Sequence, residues 1–475
     1  MTSAIALRPA WQRSVFLVAA AASFSWLPAA RAQAQPAVQP APEEVEAPPA
    51  PTPAPAPEQP VTSKWGLSLY GFVQLDYMFD STQSYNDSAG NVQVARPGTY
   101  AADHPRTQFS ARDSRIGLKL KAPDFGNIKT TGTFETDFFG VAAAPQAGNS
   151  ENGFFGNSPI RIRHANFKLE TPAVDILVGQ TWQLMGWQPI YFPATWEIPG
   201  LPGQLFSRTL QLRVSKTIKT SGLTIEAAAA AMRPPQRNSG VPEGQAGLRV
   251  SLDSRTGTAM LYSTTKMFVP LSIAVTGDVR RYSLPEFSAT PERSKSLTTG
   301  GGAVDVFVPI LPGTEKSQDN SLSLSGEFAF GQATADLYTA LVGGMGFPAL
   351  PAEGEEPAPV FAAGVDPGMV TYDMNGDLES IDWMSYWVSL QYWVPPFAGT
   401  VWLSASYSHL ESPNTDELGA SNLARSSLDW FGGAVGYDPT PAVRFVAGFS
   451  HFRDEYVDGE VGKNNRFGLT GFLFF

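Results

Sequence analysis

The stretch RFGLTGFLFF, Arg466–Phe475, ends the chain and places an apolar side chain or a glycine at every second position. Phe467, Leu469, Leu473 and Phe475 therefore share one face of an extended segment. A chain terminus is normally polar and frayed, whereas the closing strand of an outer-membrane barrel needs an apolar outer face and an aromatic ring at the membrane interface. This segment predicts an outer-membrane β-barrel, and a strand of a soluble β-sandwich is the alternative.

The opposite face of the same segment carries Phe472 and Phe474, which would point into the interior of a barrel. A water-filled interior offers no apolar surface for two phenylalanines to pack on. We expect them to contact an element inside the barrel or the N-terminal segment.

The N-terminus predicts export. Two arginines precede an apolar run at residues 14–27, and small residues follow it. This is the pattern of a secretory signal peptide, so we expect residues 1–32 to be removed, with cleavage after Ala32 or Ala34. No later window reaches the roughly 18 to 20 consecutive apolar residues that a spanning helix needs. A mature chain that enters a membrane must therefore cross it as a closed barrel.

The mature chain divides into two predicted parts. Residues 33–64 are rich in Pro, Ala and Glu, a composition that favours extended polyproline II and buries no core. We predict a disordered periplasmic tether there, with a spacer that reaches a partner as the alternative. Residues 65–475 are predicted to form the barrel.

Composition excludes several kinds of site. The chain has no cysteine, which excludes disulfides, thiolate metal sites and cysteine nucleophiles. Removing the predicted signal peptide takes away three arginines and no acid, so the net charge moves from −11 to −14, and this argues against a nucleic-acid partner. The four histidines lack the spacing of a zinc site. We therefore predict no metal, no cofactor and no catalytic residue.

Segments with two-residue periodicity follow Trp65. In 67–79, Leu67, Leu69 and Leu75 alternate with polar residues such as Asp76. One apolar face and one charged face fit a wall between lipid and water. A soluble sandwich has the same period, so the alternation by itself leaves both folds open.

The connections between these segments fall into two kinds that alternate along the chain. The short, turn-like ones are 122–127, 171–175, 219–222, 395–399 and 438–441. The long, polar ones are 80–106, 140–159, 184–205, 233–244, 331–380 and 411–426. Short periplasmic turns and long extracellular loops are typical of outer-membrane barrels, and soluble sandwiches do not sort loop length in this way.

The connections predict an all-β, transmembrane antiparallel barrel of sixteen strands. Residues 253–267 are the least regular part, and they form either a long turn or an extra hairpin that raises the count to eighteen. Either count is even and leaves both ends of the barrel in the periplasm. At this size the lumen is an aqueous channel.

The loop LMGWQPIYFPATWEIPGLPGQL, Leu184–Leu205, is more apolar and stiffer than a water-exposed loop needs to be. We predict that it folds inward and narrows the channel. Packing over a neighbouring subunit and capping of the rim are the alternatives. Its aromatic residues and its single charge are Trp187, Tyr191, Phe192, Trp196 and Glu197.

Several segments resemble the DcaP-like group of Gram-negative porins, which is related to the phosphate-selective porins. They are SLYGFVQLDYMFD (68–80), RDSRIGLKLKAP (112–123), IRHANFKLE (162–170), VGQTW (178–182) and SRTLQLRVS (207–215). The resemblance is clearest over about 65–217 and near the C-terminus. It implies a trimeric, sixteen-stranded channel of a type that often favours anions. Those porins carry an N-terminal coiled coil, whereas residues 33–63 show no heptads and contain many prolines.

The predicted pore-lining charges do not settle the selectivity by number, because basic and acidic residues nearly balance. A pore selects by the charge at its narrowest section. Four arginines lie on strands next to the predicted constriction, which favours small anions such as carboxylates; pairing of these arginines with wall carboxylates is the alternative. The predicted set is Arg115, Lys119, Lys121, Lys129, Glu135, Asp137, Arg161, Arg163, Lys168, Arg208 and Arg213.

Two further motifs are weak. The sequence DMNGD, 373–377, is similar to a calcium loop, but its glycine comes two positions early for an EF-hand. Divalent ions that bridge lipopolysaccharide and a plain solvated loop are both compatible with it. His409 and His451 each follow a serine, but adjacent residues on a strand point to opposite faces.

These patterns predict a passive porin for small hydrophilic solutes with a preference for anions, and not an enzyme. A lipase-like outer-membrane enzyme and a structural or adhesive barrel without an open pore are the alternatives. The predicted partners are outer-membrane lipid and lipopolysaccharide, two further copies of the chain in a homotrimer, the outer-membrane assembly machinery and the solutes. The predicted location is the outer membrane of a Gram-negative bacterium.

Overall fold

A computed structural model describes most of the predicted barrel. The described residues are 64–84, 94–140, 159–196, 201–236, 239–259, 267–288, 290–338, 341, 368–373, 375–418 and 424–475. The predicted signal peptide, the predicted tether up to residue 63 and Glu197 lie outside them. Among the described residues, no helix is long and apolar enough to cross a membrane.

Nearly all described elements are β-strands, joined by one helical turn, α1 (Tyr100–Asp103), and two 3-10 turns. The strands in the first half are β1 (Gly66–Asp80), β2 (Arg106–Ser110), β3 (Arg115–Lys121), β4 (Lys129–Asp137), β5 (Arg161–Glu170), β6 (Asp175–Trp182), β7 (Arg208–Lys219), β8 (Leu223–Met232) and β9 (Glu243–Ala259). Those in the second half are β10 (Met267–Pro285), β11 (Ser294–Leu311), β12 (Leu322–Gln332), β13 (Val370–Tyr372), β14 (Leu378–Ser380), β15 (Asp382–Trp393), β16 (Val401–Glu411), β17 (Arg425–Thr440), β18 (Val443–Tyr456) and β19 (Val461–Phe474).

The sheet closes into a sixteen-stranded antiparallel barrel, because β1 pairs with β19. Strands β2 and β3 both pair with β1, β2 along residues 76–80 and β3 along residues 66–72, so they are one barrel strand interrupted at 111–114. The hairpin of β13 and β14 lies outside the barrel sheet. The predicted fold class and the count of sixteen are confirmed.

The alternative count of eighteen strands is wrong. The described part of the segment 253–267 prolongs two barrel strands, since β9 continues to Ala259 and β10 begins at Met267. Residues 256–259 pair with residues 267–270 after a bulge near Pro270. The irregular sequence pattern here marks this bulge and not an additional hairpin.

The two faces of the wall have opposite chemistry. Leu75 is 62% exposed and Leu469 is 58% exposed, whereas Gln74 and Thr470 are buried. The exposed apolar band has the chemistry of the lipid-facing surface of a transmembrane barrel. The predicted outer face of the closing strand agrees with this band, since Phe467, Leu469, Leu473 and Phe475 are all exposed.

Loop length differs between the two ends of the barrel. One end, called the short-turn end below, carries tight turns such as 171–174 and 220–222. The other end, called the loop end, carries connections such as 183–207 and 333–381. The third long connection, residues 184–205, is called the third loop below.

Candidate pore and selectivity site

The first half of the third loop lies inside the barrel. Leu184, Trp187 and Tyr191 form one apolar cluster with inward side chains of β8, β10 and β11, among them Ala274 and Phe307. Trp187 and Tyr191 are almost completely buried. This half of the loop therefore covers the inner wall formed by β8–β11.

Hydrogen bonds from the wall fix the same half of the loop. The backbone N–H groups of Leu184 and Met185 donate to Oε1 of Gln245, at 3.0 and 2.8 Å. The Tyr191 hydroxyl donates to Oγ of Ser272 at 3.0 Å. Burial raises the pKa of Tyr191 to about 12, so its phenol keeps the proton that this hydrogen bond uses at neutral pH.

The second half of the loop reaches the opposite side of the lumen. Trp196 is 2% exposed, and its Nε1 donates to Oγ of Ser450 on β18 at 3.0 Å. The Gly203 N–H donates to Oγ of Ser408 at 2.9 Å, and the Leu205 N–H donates to Oε1 of Glu327 at 2.9 Å. The loop thus spans from β8–β12 to β16–β18.

This geometry explains the two inward phenylalanines of the closing strand. The Phe72 ring lies 5.6 Å from the Phe472 ring and 5.8 Å from the Phe474 ring. Phe472 also shares an apolar cluster with Trp196 and Trp402. The third loop is therefore the inner element that covers Phe472.

The described contacts of the third loop leave one wall uncovered. Apart from ring contacts at its base, where Phe192 lies 4.9 Å from Trp182, the loop packs on β8–β12 and β15–β19. The wall of β3–β7 carries the predicted pore-lining charges. Beyond its base, the described contacts of the third loop therefore do not fall on the wall of β3–β7.

Two of the predicted arginines are neutralised by wall carboxylates. Arg163 contacts Glu135 at 2.7 Å and Asp137 at 3.0 Å, and Arg161 contacts Asp137 at 2.6 Å. Arg163, Glu135 and Asp137 are buried. Arg161 and Arg163 therefore follow the alternative prediction, in which the arginines pair with carboxylates of the barrel wall.

A β-bulge in β5 turns two consecutive side chains, Arg163 and His164, toward the interior. The register shifts so that Glu135 faces His164 and Thr136 faces Ile162. The side-chain amide of Gln180 donates to the Ile162 carbonyl at 2.8 Å, which satisfies a backbone group near the bulge. The two-residue period does not predict this bulge, and β5 contains no glycine that would signal one.

The other two arginines, Arg208 and Arg213, have no described carboxylate partner. The Arg208 guanidinium lies 4.8 Å from the centre of the Trp182 ring and 5.9 Å from that of Phe206. Arg213 donates to Oε1 of Gln211 at 2.9 Å and to the Trp182 carbonyl at 2.7 Å. Neither arginine forms an ion pair with a residue in the described part of the chain.

The remaining predicted charges are spread along the same wall. Arg115 is buried and lies 5.1 Å from the Phe72 ring, and the Lys119 ammonium lies 4.8 Å from the Tyr70 ring. Lys168 contacts Glu170 at 3.0 Å and Asp175 at 2.8 Å. Lys121 and Lys129 are exposed near the short-turn end.

Several carboxylates outside the predicted pore-lining set lie behind the third loop. Asp305 and Glu327 are direct partners on β11 and β12 and are both buried. Glu243 and Asp278 contact the buried Arg280 at 3.1 and 2.7 Å. The loop and these pairings separate the carboxylates from the free part of the lumen.

The calcium-like motif makes its contacts within its own loop and with a neighbouring lysine. Oδ1 of Asp373 accepts the N–H groups of Asn375 and Asp377 at 2.9 and 2.7 Å, and the Asp377 N–H lowers the pKa of Asp373. Asp377 contacts Lys295 at 2.6 Å. Among the described residues, no group of three or more ligand side chains could hold a metal ion.

Neither histidine on the last strands pairs with its neighbouring serine. Ser408 is buried and accepts a hydrogen bond from the third loop, whereas His409 contacts Asp429 at 2.8 Å on the outer face. Ser450 likewise accepts from Trp196, and His451 contacts Asn465 at 2.7 Å. A Ser-His pair for hydrolysis does not form at either position.

Comparison with known proteins supports the fold. No protein-family model and no curated protein matches the chain. The DcaP outer-membrane channel of Acinetobacter baumannii shares 17% identity, with 86% of this chain and 97% of that chain covered, at a TM-score of 0.59. OprB of Pseudomonas putida shares 11% identity, with 86% and 94% covered, at a TM-score of 0.50. The predicted resemblance to DcaP-like porins is thereby confirmed at the level of the fold.

Proposed function

We propose that this protein is an outer-membrane porin that forms a water-filled diffusion channel for small hydrophilic solutes and prefers anions such as carboxylates. The observation that carries the proposal is the position of the third loop. Its described contacts lie on the wall of β8–β12 and β15–β19, which supports a channel along β3–β7. Solutes would pass the constriction between this loop and the basic wall.

The charge at that level supports the anion preference. Arg208 and Arg213 have no described ion-pair partner, while the carboxylates Glu135 and Asp137 are taken up by Arg161 and Arg163. Asp305 and Glu327 are buried behind the loop. A solute that enters this section therefore meets net positive charge, and the charge at the narrowest section decides selectivity.

Liposome swelling tests the proposal. Full-length protein in liposomes should admit small carboxylates faster than neutral solutes of equal size. Equal rates for both would contradict the anion preference, and no swelling with either would contradict the channel and favour a structural barrel. A lipase-like activity has no support at Ser408 or Ser450, since both hydroxyls accept hydrogen bonds from the third loop.

The partners are also proposals. A homotrimer follows from the resemblance to DcaP-like porins, and contact with outer-membrane lipid and lipopolysaccharide follows from the exposed apolar band. Recognition by the outer-membrane assembly machinery follows from the apolar outer face of the closing strand, with its exposed Phe467 and Phe475. Electrophoresis of unheated protein tests the trimer, which should run at three times the mass of the heated chain.

A further inference from the structure

A segment of the first long connection also enters the barrel at the loop end. Residues 94–105, called the return limb below, lead back into β2. Their first residue, Val94, is completely buried, whereas Thr99 and Tyr100 farther along are exposed. An apolar side chain becomes buried only where other apolar groups cover it. Val94 is therefore the point at which the return limb enters the barrel.

The apolar groups that cover Val94 come from the inner wall and from the third loop. Their cluster consists of Val94, Leu201, Trp387, Trp430 and Phe452. The two tryptophans flank Ser408 on β16, and the Ser408 hydroxyl accepts the N–H of Gly203 in the third loop. Val94 therefore packs where the third loop is attached to the wall of β15–β18.

The barrel wall fixes the backbone of Val94 on both sides. The Val94 N–H donates to Oδ2 of Asp454 at 3.1 Å, and the Tyr456 hydroxyl donates to the Val94 carbonyl. Asp454 is buried and is held by the buried Arg425 at 3.1 Å. Buried backbone groups need hydrogen-bond partners, and two inward side chains of β18 supply both. The wall is therefore shaped to hold Val94 in this place.

A glycine of the closing strand leaves the space that Val94 occupies. Gly462 on β19 is the direct partner of Asp454. A methyl group on Gly462 would lie 3.3 Å from Cβ of Val94 and 2.9 Å from the carbonyl oxygen of Ala95. A larger side chain at Gly462 would therefore push the return limb away from the wall.

We propose that the return limb is a second element of the constriction. Val94 narrows the loop-end mouth over β15–β19 and holds the Leu201 part of the third loop against the wall. Val94 is a positioning residue, because it acts on the channel through Leu201. This inference rests on the proposed function as a diffusion channel, and it confines the entry of solutes to the part of the mouth beside the return limb.

An engineered disulfide tests the position of the return limb. Bridged cysteines have Cβ atoms about 3.5–4.5 Å apart, so Val94→Cys/Gly462→Cys should form a disulfide on oxidation, detected by mass spectrometry without reductant. The wild-type chain has no cysteine that could compete. Val94→Cys/Lys463→Cys is the matched control and should stay reduced, because Lys463 is exposed and points to the opposite face of β19. A reduced Val94→Cys/Gly462→Cys protein after oxidation would overturn the proposal.

Single-channel conductance tests the effect on the channel. Val94→Asp places an unpaired charge in the apolar cluster beside Asp454, so it should displace the return limb and raise the conductance above that of the wild type. Thr99→Asp is the matched control and should conduct as the wild type does. It adds the same charge to the exposed part of the limb, at the N-cap of α1, where aspartate is equally favoured.

The double variant Val94→Cys/Gly462→Cys adds a reversible readout that does not depend on the folding of Val94→Asp. Its reduced form should conduct more than the wild type, because the new side chain at Gly462 pushes against the limb, and oxidation should restore the wild-type conductance. Equal conductance of the reduced and oxidised forms would overturn this proposal alone. A wild type without any conductance would overturn the channel proposal as well.

Discussion

The indole of Trp196 lies where a side chain at Gly468 would have to be: a methyl group on Gly468 would overlap the six-membered ring, and one on Gly448 would overlap the five-membered ring. Two glycines on adjacent strands thus form a recess for one tryptophan of the third loop. The hydrogen bond from Trp196 to Ser450 fixes the ring in this recess. The far half of the constriction therefore depends on the absence of two side chains from the barrel wall.

Gly468→Ala should displace Trp196 and release the far half of the third loop. Overpacking of a filled site costs about 1–3 kcal/mol, so the unfolding temperature should fall and the single-channel conductance should rise. Gly471→Ala on the same strand is the control, because a methyl group there meets only Phe445, at 3.7 Å. Unchanged conductance in Gly468→Ala would show that Trp196 does not limit the channel.

The ion pairs of Arg163 should affect both the anion preference and the stability of the barrel. Glu135→Gln removes one of the two carboxylates of Arg163 and leaves more positive charge on the wall of β3–β7. The anion preference measured by reversal potential should increase, at a stability cost of about 1–3 kcal/mol for the lost charged hydrogen bond. Glu170→Gln, which affects only the partly exposed Lys168, should change stability far less. A decrease in anion preference in Glu135→Gln would contradict this arrangement.

The sequence predicted the barrel because its signals are local. The two-residue period of β1 and the sorting of loop lengths need no long-range information. The extent of β9 does not follow from the sequence, because the bulge near Pro270 breaks the period. The stretch Arg466–Phe475 covers only part of β19, which begins at Val461, because Lys463, Asn464 and Asn465 give no apolar alternation.

The site was less predictable than the fold. The loop composition indicated an inward path, but the partners of the loop, such as Gln245 and Ser450, lie 60 and 254 residues away in sequence. Which arginines are neutralised depends on cross-strand register, and the bulge beside His164 shifts that register by one residue. The periodicity of a single sequence specifies neither the partners of the third loop nor the cross-strand register.

The close approach of β5 and β6 should be sensitive to substitution. Gly179 on β6 has φ +124°, and a methyl group on it would overlap the Ala165 carbonyl oxygen. Gly179→Ala should therefore cost about 1–3 kcal/mol and lower the unfolding temperature. Gly132→Ala on β4, where the nearest atoms would lie at 3.6 Å, should be nearly neutral. Equal stability of the two variants would show that this close approach does not require Gly179.

The contact between two loops should respond to pH. Arg96 donates to Asp458 in the turn between β18 and β19, and this hydrogen bond lowers the pKa of Asp458. A carboxyl whose pKa is lowered on folding contributes stability above its ordinary pKa of about 4, and the contribution disappears as pH falls through the lowered value. The unfolding temperature of Asp458→Asn should therefore be below that of the wild type at neutral pH, with the difference vanishing in acid. If the difference in unfolding temperature persisted at low pH, the charge of Asp458 would not be its cause.

The reversal potential of single channels under a salt gradient tests whether solutes pass along the basic wall of β3–β7. The wild type should be anion-selective, Arg208→Gln should lose much of that selectivity, and Arg281→Gln should keep it, because Arg281 is an exposed arginine whose described contact is Ser296. A cation-selective wild type, or equal selectivity in Arg208→Gln and the wild type, would show that the basic wall does not select the solute.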